Sequence, residues 1–374
     1  MPARSPLIER SPIGEAVPLR PDGLRLLGPD DAAWSRFFSR LPAEQQDLFY
    51  APAYAQLCAR WLYPQARVRA AVLETASSVL LYPFVQRRIG AVVGDEDVAG
   101  DAQDIVGLYG RGGLVGGGAG REEIAAFHRA FGTTCREQRI ICGFDRYHPV
   151  LGNYRWAAAQ TQLQDVGGFV VCDLRLPLAE LERAYDHAVR KNIKKAQRAG
   201  VRIISEDSTA HLEEFVTIYS ATLARRRASR FYAFDRGFYD DLARRLPGQC
   251  RFFYAQLGSA TVSCELVLYH GRYAHSFLGG TLEPYMDACP NHLLKREIIR
   301  EMKARGCWFY LLGGGPVAYD GIWKYKRGFA VAGSVPSLVG GTIFDAPAYE
   351  SVRQAMQQRG LPINAAVFQF YDKR

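Results

Sequence analysis

Apolar positions along this chain recur with two periods, and the places where one gives way to the other mark out the elements. Gly23-Leu-Arg-Leu-Leu reads as a short strand, and Asp30-Asp31 caps a helix running through Phe38. Pro42-Ala-Glu-Gln-Gln and Tyr54 to Leu62 follow as helices. A strand pair, Val68 to Glu74 and Val79 to Gln86, turns at Thr75-Ala-Ser-Ser; an amphipathic helix spans Glu122 to Gln138, and Ile140 to Phe144 is a buried strand. After Gln164 the order resembles the first: a strand at Gly168-Phe-Val-Val-Cys-Asp-Leu, one helix from Pro177 to Gly200, a strand from Val201 to Ser205, and helices at His211 to Arg227 and Phe238 to Leu246. The clearest meander comes next, with strands Arg251 to Leu257, Thr261 to Tyr269 and Arg272 to Gly280, turning at Gly258-Ser259 and His270-Gly271. The helix Asn291 to Arg305 ends at Gly306, and a buried strand, Cys307 to Leu312, comes directly after it. A loop from Gly313 to Lys326, closing strands at Gly328 to Gly333 and Ser337 to Gly341, a helix from Ala348 to Arg359 and an apolar segment from Ala365 to Tyr371 complete the chain.

Each half thus carries an antiparallel hairpin followed by a helix and a strand, a duplication of pattern rather than of identity. The fold class expected is α/β (α+β), two tandem domains with mixed, largely antiparallel sheets flanked by helices. The expected divisions are an N-terminal arm (1–20), a first domain (21–165), a second domain (166–345) carrying the active cleft between Val262 and Phe329, and a C-terminal helix with a closing segment (346–374). At 374 residues the chain is too long for one ordinary core.

Composition narrows the classes of function. With 48% hydrophobic and 23% charged residues most of the chain should fold. No run of about 18 uncharged apolar residues exists to span a membrane, and Met1 to Pro18 lacks the apolar stretch of a secretory signal. The eight cysteines are scattered, without C-x-x-C or zinc spacing, so they are expected to be reduced thiols in a cytoplasmic protein with no metal site. The net charge of +9 favours anionic partners, but its distribution matters more than its total.

Much of that charge sits in one run. Arg190, Lys191, Lys194, Lys195 and Arg198 cover one side of a helix whose Val189, Ile193 and Ala196 point inward, and no acidic residue interrupts it from His187 to Arg202. A solvated face usually mixes its charges, so phosphate binding explains an unmixed one better. Arg225, Arg226 and Arg230 cluster at the end of the next helix, where its dipole also favours cations. In the hairpin from Thr261 to Gly280, pairing about His270-Gly271 sets Glu265 opposite Ser276. A carboxylate in a central strand needs either a cleft, where it could serve as a general base, or a structural partner such as an arginine. Gly313 and Gly314 at the carboxyl end of a buried strand permit close approach of a ligand to the backbone, and Trp323, Tyr325 and Lys326 follow, the lysine either facing an anion or lying along the aromatic rings. The glycine-rich stretch from Tyr109 reads equally as a linker or as backbone near a ligand. His187, His211 and His292 fall on helices without metal spacing, and there is no G-x-S-x-G, P-loop or dinucleotide fingerprint.

These motifs resemble one family. Arg190-x-Asn-Ile-x-Lys-Ala-x-x-x-Gly-Val, Pro290-Asn-x-Leu-Leu, the Gly-Gly after the strand and Tyr325-Lys326-x-Gly-Phe resemble the Fem family of aminoacyltransferases and the related acetyltransferases of the BioF-like and cellulose-biosynthesis group. Phe49-Tyr-Ala-Pro-Ala-Tyr54 and Tyr109-Gly-Arg-Gly-Gly-Leu extend the likeness into the first half. The resemblance implies two tandem GNAT domains and amide formation between an amino acid carried by aminoacyl-tRNA and an acceptor amine, either a small natural-product precursor or a peptidoglycan precursor. It implies no cofactor beyond that co-substrate; an acyl-CoA or carrier-protein donor is the alternative. It would put Lys326, beside Tyr325, at the tRNA 3′ end as a catalytic residue. Read from the residues themselves, Glu265 is the expected proton acceptor, and Tyr325, Arg225, Arg226, Arg230, Ser276, Gly313, Gly314 and Trp323 are expected to bind substrate. Arg190, Lys191, Lys194, Lys195 and Arg198 would hold phosphates. A monomer is compatible with this reading. Two departures stand out. Tyr285-Met-Asp-Ala-Cys-Pro-Asn-His lacks the glycines that cradle a CoA pyrophosphate, and no heptad segment supplies the helical arm of cell-wall members.

Overall fold

The strands of the first half are β1 (Arg25–Leu27), β2 (Arg67–Glu74), β3 (Val79–Arg88), β4 (Gln103–Val106), β5 (Val115–Gly117) and β6 (Ile140–Arg146). Those of the second are β7 (Gln162–Asp173), β8 (Arg202–Glu206), β9 (Cys250–Leu257), β10 (Ala260–His270), β11 (Tyr273–Thr281), β12 (Phe309–Gly313) and β13 (Ser334–Ile343). Helices α1 (Ala32–Arg40), α2 (Pro52–Leu57), α3 (Ile89–Val93) and α4 (Arg121–Glu137) belong to the first half. Then come α5 (Leu178–Ala184), α6 (His187–Arg198), α7 (Leu212–Arg226), α8 (Arg236–Arg245), α9 (Pro290–Ala304), α10 (Gly321–Arg327) and α11 (Ala346–Gln358). The computed structural model describes residues 23–372, apart from the side chain of Arg230. The expected N-terminal arm lies outside them.

All these strands belong to one sheet, in the order β1-β2-β3-β4-β6-β13-β7-β12-β11-β10-β9-β8, with β5 beside β3. The duplication expected from the sequence appears as strand order. In one half β1-β2-β3-β4 run antiparallel and β4 then pairs parallel with β6. In the other, β8-β9-β10-β11 run antiparallel and β11 pairs parallel with β12. A parallel neighbour needs a crossover, and α4 and α9 supply it. The architecture is therefore the α/β pair of tandem GNAT-like halves that the motifs implied. The halves are less separate than the division at residues 165/166 suggests. That division falls inside β7, and β13 lies between the halves, pairing with β6 on one side and β7 on the other. The C-terminal segment also returns to the first half, where Tyr349, Val352, Met356, Phe370 and Tyr371 share a core with Ile89, Val93 and Ile141.

Local chemistry accounts for several departures from the expected elements. The single helix expected over Pro177 to Gly200 is two, because Asp186 leaves the helix to cap α6 through a bond from Ala188 N. The stretch Gly313 to Lys326 contains a helix, α10, capped by Asp320, whose Oδ1 accepts from Trp323 N at 2.8 Å. The closing strand expected at Gly328 to Gly333 is a turn, and β13 begins at Ser334. In the β10–β11 hairpin the two-residue turn is Gly271-Arg272, so Val267 pairs with Ser276, and a bulge after Leu266 sets Glu265 opposite Gly279. Glu265 thus sits three residues from its expected partner Ser276, whose own partner moves by two, and the bulge makes up the difference so that both still face Lys295. Seven of the eight cysteines are buried. No helix among the described residues is long and apolar enough to cross a membrane, and no group of three His, Cys, Asp or Glu side chains there could hold a metal ion.

Candidate active site

The parallel ladder between β11 and β12 runs from Tyr273 with Phe309 to His275 with Leu311 and then stops. Beyond it the strands part, and in the first half the ladder between β4 and β6 ends likewise at Val106 with Phe144. Both openings face one cleft of about 840 Å³. Ser276, Phe277, Gly313, Gly314 and Lys326 line it from the second half, and Val106, Tyr109, Arg111 and Phe144 from the first.

Lys326 arrives there from the last turn of α10. Its Nζ donates to the Gly314 carbonyl at 2.8 Å. Gly313 adopts φ +85°, and a Cβ there would stand 3.1 Å from the ammonium, so both the backbone and the space call for glycine. Burial lowers the Lys326 ammonium to about 8, helped by the nearby charge of Lys295 and opposed by Glu265 and Asp320. Arg111 faces the same space over the Phe169 ring at 4.4 Å and donates to Ser337 Oγ at 3.3 Å. Burial, with Arg146 adding repulsion, brings it down to about 10. Neither cation has a carboxylate within salt-bridge distance among the described residues.

Glu265 is placed elsewhere. It does not line the cleft, and it lies against Lys295 of α9, whose Nζ is 2.6 and 2.5 Å from the two carboxylate oxygens. Tyr310 donates to the same carboxylate, and Lys295 also reaches Ser276 Oγ at 3.2 Å. The general-base role expected of Glu265 gives way to a buried ion pair, with lysine in place of the arginine suggested. Lys295 was detectable: Ile298, Ile299 and Met302 lie three, four and seven residues on, which puts it on the apolar stripe of its helix. Through Ser276 this network supports the wall of the cleft.

The other expected residues scatter. Tyr325 turns away, donating to Asn291 O at 3.0 Å and packing edge-on against His292, so it braces α10 against α9. Trp323 lies against Gly168, where a Cβ would stand 2.3 Å from its Nε1, and packs on Tyr319. Arg225 donates to the Thr281 carbonyl at 3.1 Å and Arg226 is exposed; neither lines the cleft. Arg230 has no described side chain, although Phe231 and Tyr232 beside it line the cleft. On α6, Lys191, Lys194, Lys195 and Arg198 are exposed outside the cleft, while Arg190 donates to the Arg183 carbonyl at the end of α5. Asn192 ties α6 to α9 through His292 at 3.1 Å.

A cluster that sequence reading missed sits at the splay itself. Asp47, His148 and His275 meet with Asp47 Oδ2 2.9 Å from both imidazole Nε2 atoms. His275 lines the cleft. Burial alone would raise the Asp47 carboxyl, but its close pairing with the His275 and His148 imidazoles, which both donate to it, holds it well below the usual carboxylate range. The three residues come from distant parts of the chain, Asp47 and His275 being 228 positions apart, and no local spacing announces them.

Comparison with known proteins agrees with this geometry. Residues 183–327, which carry β8 to β12 and Lys326, match the acetyltransferase (GNAT) domain family. Among solved structures, FemX superposes with a TM-score of 0.67 at 11% identity, over 87% of this chain and 99% of that one. A C-terminal domain assigned to lysylphosphatidylglycerol synthetase from Agrobacterium fabrum gives 0.53 at 12% identity, covering 90% and 98%. A tandem GNAT protein from the clavulanic acid biosynthesis pathway gives 0.50 at 11%, covering 86% and 98%. At such identities the likeness is one of fold, and the chain has the fold of the Fem and tandem GNAT group. No curated protein matches it by sequence.

Proposed function

We propose that this chain is an aminoacyltransferase, taking an amino acid from aminoacyl-tRNA and forming an amide on an acceptor amine. The observation that carries this reading is Lys326, a cation without a carboxylate partner among the described residues, held by the Gly314 carbonyl in the cleft where the strands part. The acceptor nitrogen attacks the ester carbonyl, negative charge grows on its oxygen, and the bond to the ribose oxygen breaks. An ester is already reactive, so positioning and a cation near the developing oxyanion lower the barrier without a covalent intermediate. Arg111 adds positive charge for a phosphate or carboxylate of either substrate, and the exposed cations of α6 would meet tRNA phosphates. The segment Glu283–Ala288 ahead of α9 contains no glycine, and Cys289 at φ +55° offers no side-chain cap there, which disfavours a CoA pyrophosphate. An aminoacyl-tRNA donor would place the protein in the cytoplasm, as a monomer in the simplest case.

A second reading, an acyl-CoA or carrier-protein N-acyltransferase, is favoured by the acetyltransferase family match. The two separate in one assay. The purified chain is incubated with a pool of radiolabelled aminoacyl-tRNAs and a panel of amines, and in parallel with acetyl-CoA and the same amines. We expect acceptor-dependent deacylation in the tRNA arm, falling roughly 100-fold or more in Lys326→Ala. Turnover confined to the acetyl-CoA arm selects the second reading. Equal binding of charged and uncharged tRNA without turnover would reject both.

A further inference from the structure

We propose that His275 is the proton acceptor of the transfer reaction, with Asp47 of the first half as its positioning residue. The inference rests on reading the cleft as the place where an amine is acylated.

Donors and acceptors fix the protonation pattern. His148 Nδ1 accepts from the backbone N–H of Val150 and of Leu151, each at 3.2 Å, so the proton of its neutral ring is on Nε2, which donates to Asp47. Burial lowers the pKa of His148 and so favours that neutral form. Asp47 also accepts from Phe49 N at 3.2 Å, as the cap of the turn Leu48–Tyr50. An ionised carboxylate only accepts, so His275 must likewise donate from Nε2, at 3.0 and 2.9 Å from the two oxygens. That leaves Nδ1 of His275 with its lone pair, and no described residue bonds to it. An imidazole that lines a cleft, with one nitrogen held by a buried carboxylate and the other unbonded among the described residues, is the arrangement a general base requires.

The surroundings restrain the ring. Phe49 packs on it with centroids 4.4 Å apart, and it is the last residue of β11 paired with β12. The charged and titratable groups nearby are Asp47 and His148 from the first half, Tyr273 on its own strand, and the cleft cations Arg111 and Lys326. In the step itself the amine lone pair forms the new C–N bond and the acyl C–O bond breaks with its electrons going to oxygen. The proton leaves nitrogen for His275 Nδ1, and the imidazolium, opposite an Asp47 that stays ionised, returns it to the departing oxygen.

A purely structural role for the cluster predicts loss of stability alone, so the test needs other readouts. His275-Ser276 is the one His-Ser pair in the sequence, so pairwise isotope labelling assigns its ring in the wild-type chain. Long-range ¹⁵N–¹H spectra should show the neutral His275 ring carrying its proton on Nε2. A neutral ring with its proton on Nδ1 overturns the proposal whether or not any variant folds. In the transfer assay His275→Gln should lower kcat by roughly 10²–10⁴-fold and remove the acid limb of the kcat/KM profile. Asp47→Asn should leave the cleft able to bind donor while shifting that limb. A folded His275→Gln protein with an unchanged pH profile would sink the assignment alone. A wild-type chain inert toward every donor would instead sink the functional reading, and the spectra would still report on the ring.

Discussion

Glu265 and Lys295 show what a single buried charge demands. Lys295 is 3% exposed, and burial lowers its pKa while Glu265 pulls it back up. Removing one partner of such a pair leaves the other uncompensated, at a cost of roughly 3–5 kcal/mol. Glu265→Gln should therefore unfold at a markedly lower urea concentration at pH 7. Lys295 sets the sign of its pH dependence. A lysine whose folded pKa lies below its unfolded value binds fewer protons when folded, so stability rises with pH through the window up to about 10.5. The deficit of Glu265→Gln should narrow between pH 7 and 9; a loss under 1 kcal/mol at pH 7 would contradict the pair's structural role. At this scale the sequence was half legible. A carboxylate in the middle of a strand was visibly out of place, but choosing between base and ion pair needed Lys295, which arrives from a helix 30 residues on. Lys326 could be read from its own motif, whereas His275 and Asp47 acquire meaning only when two distant segments touch.

One short helix decides where Lys326 points. α10 has seven residues, too few to be stable alone, and it begins on the Asp320 cap and ends beside the cation itself. Tyr325 fixes its outer face to α9 through Asn291. Asp320→Ala should cost about 1 kcal/mol, the usual worth of an N-cap, yet reduce transfer at least tenfold by letting the last turn wander. Asp320→Asn, which restores an acceptor for Trp323 N, should recover most of the rate. Equal rates in the alanine and wild-type proteins would show that α10 does not position Lys326. Most strands were readable from periodicity, because β2, β3, β9 and β10 are long apolar runs bounded by turn residues. The capped elements were not. Asp186 and Asp320 each open a helix where composition suggests, respectively, continuous helix and loop, and a capping carboxylate declares itself only through the backbone amide it meets in space.

At the scale of the whole molecule, two GNAT-like halves have become one folding body. The largest apolar cluster joins Trp34, Tyr54 and Leu81 of the first half to Phe215, Phe252 and Leu266 of the second. β13 occupies the place between β6 and β7, and the cluster of Asp47, His148 and His275 is built from both halves. Pattern along the chain revealed the duplication but not this interlocking, since a strand near residue 340 carries no mark of the two partners it will separate. The C-terminal segment adds a last tie. Tyr371 donates to Asp104 Oδ2 at 2.9 Å beneath Arg87, and Phe370 and Tyr371 are each 1% exposed. Calorimetry should accordingly show one transition, with calorimetric and van't Hoff enthalpies equal, although the chain has the length of two domains. Truncation after Gly360 removes two buried aromatic side chains, a loss of about 3–6 kcal/mol at the usual worth of each. Because the first half shares its core and its sheet with the second, that loss should move the entire transition to lower temperature. An early melt of the first half, with the remainder unfolding at the wild-type temperature, would mean that the sheet continuous across β6, β13 and β7 does not couple the halves.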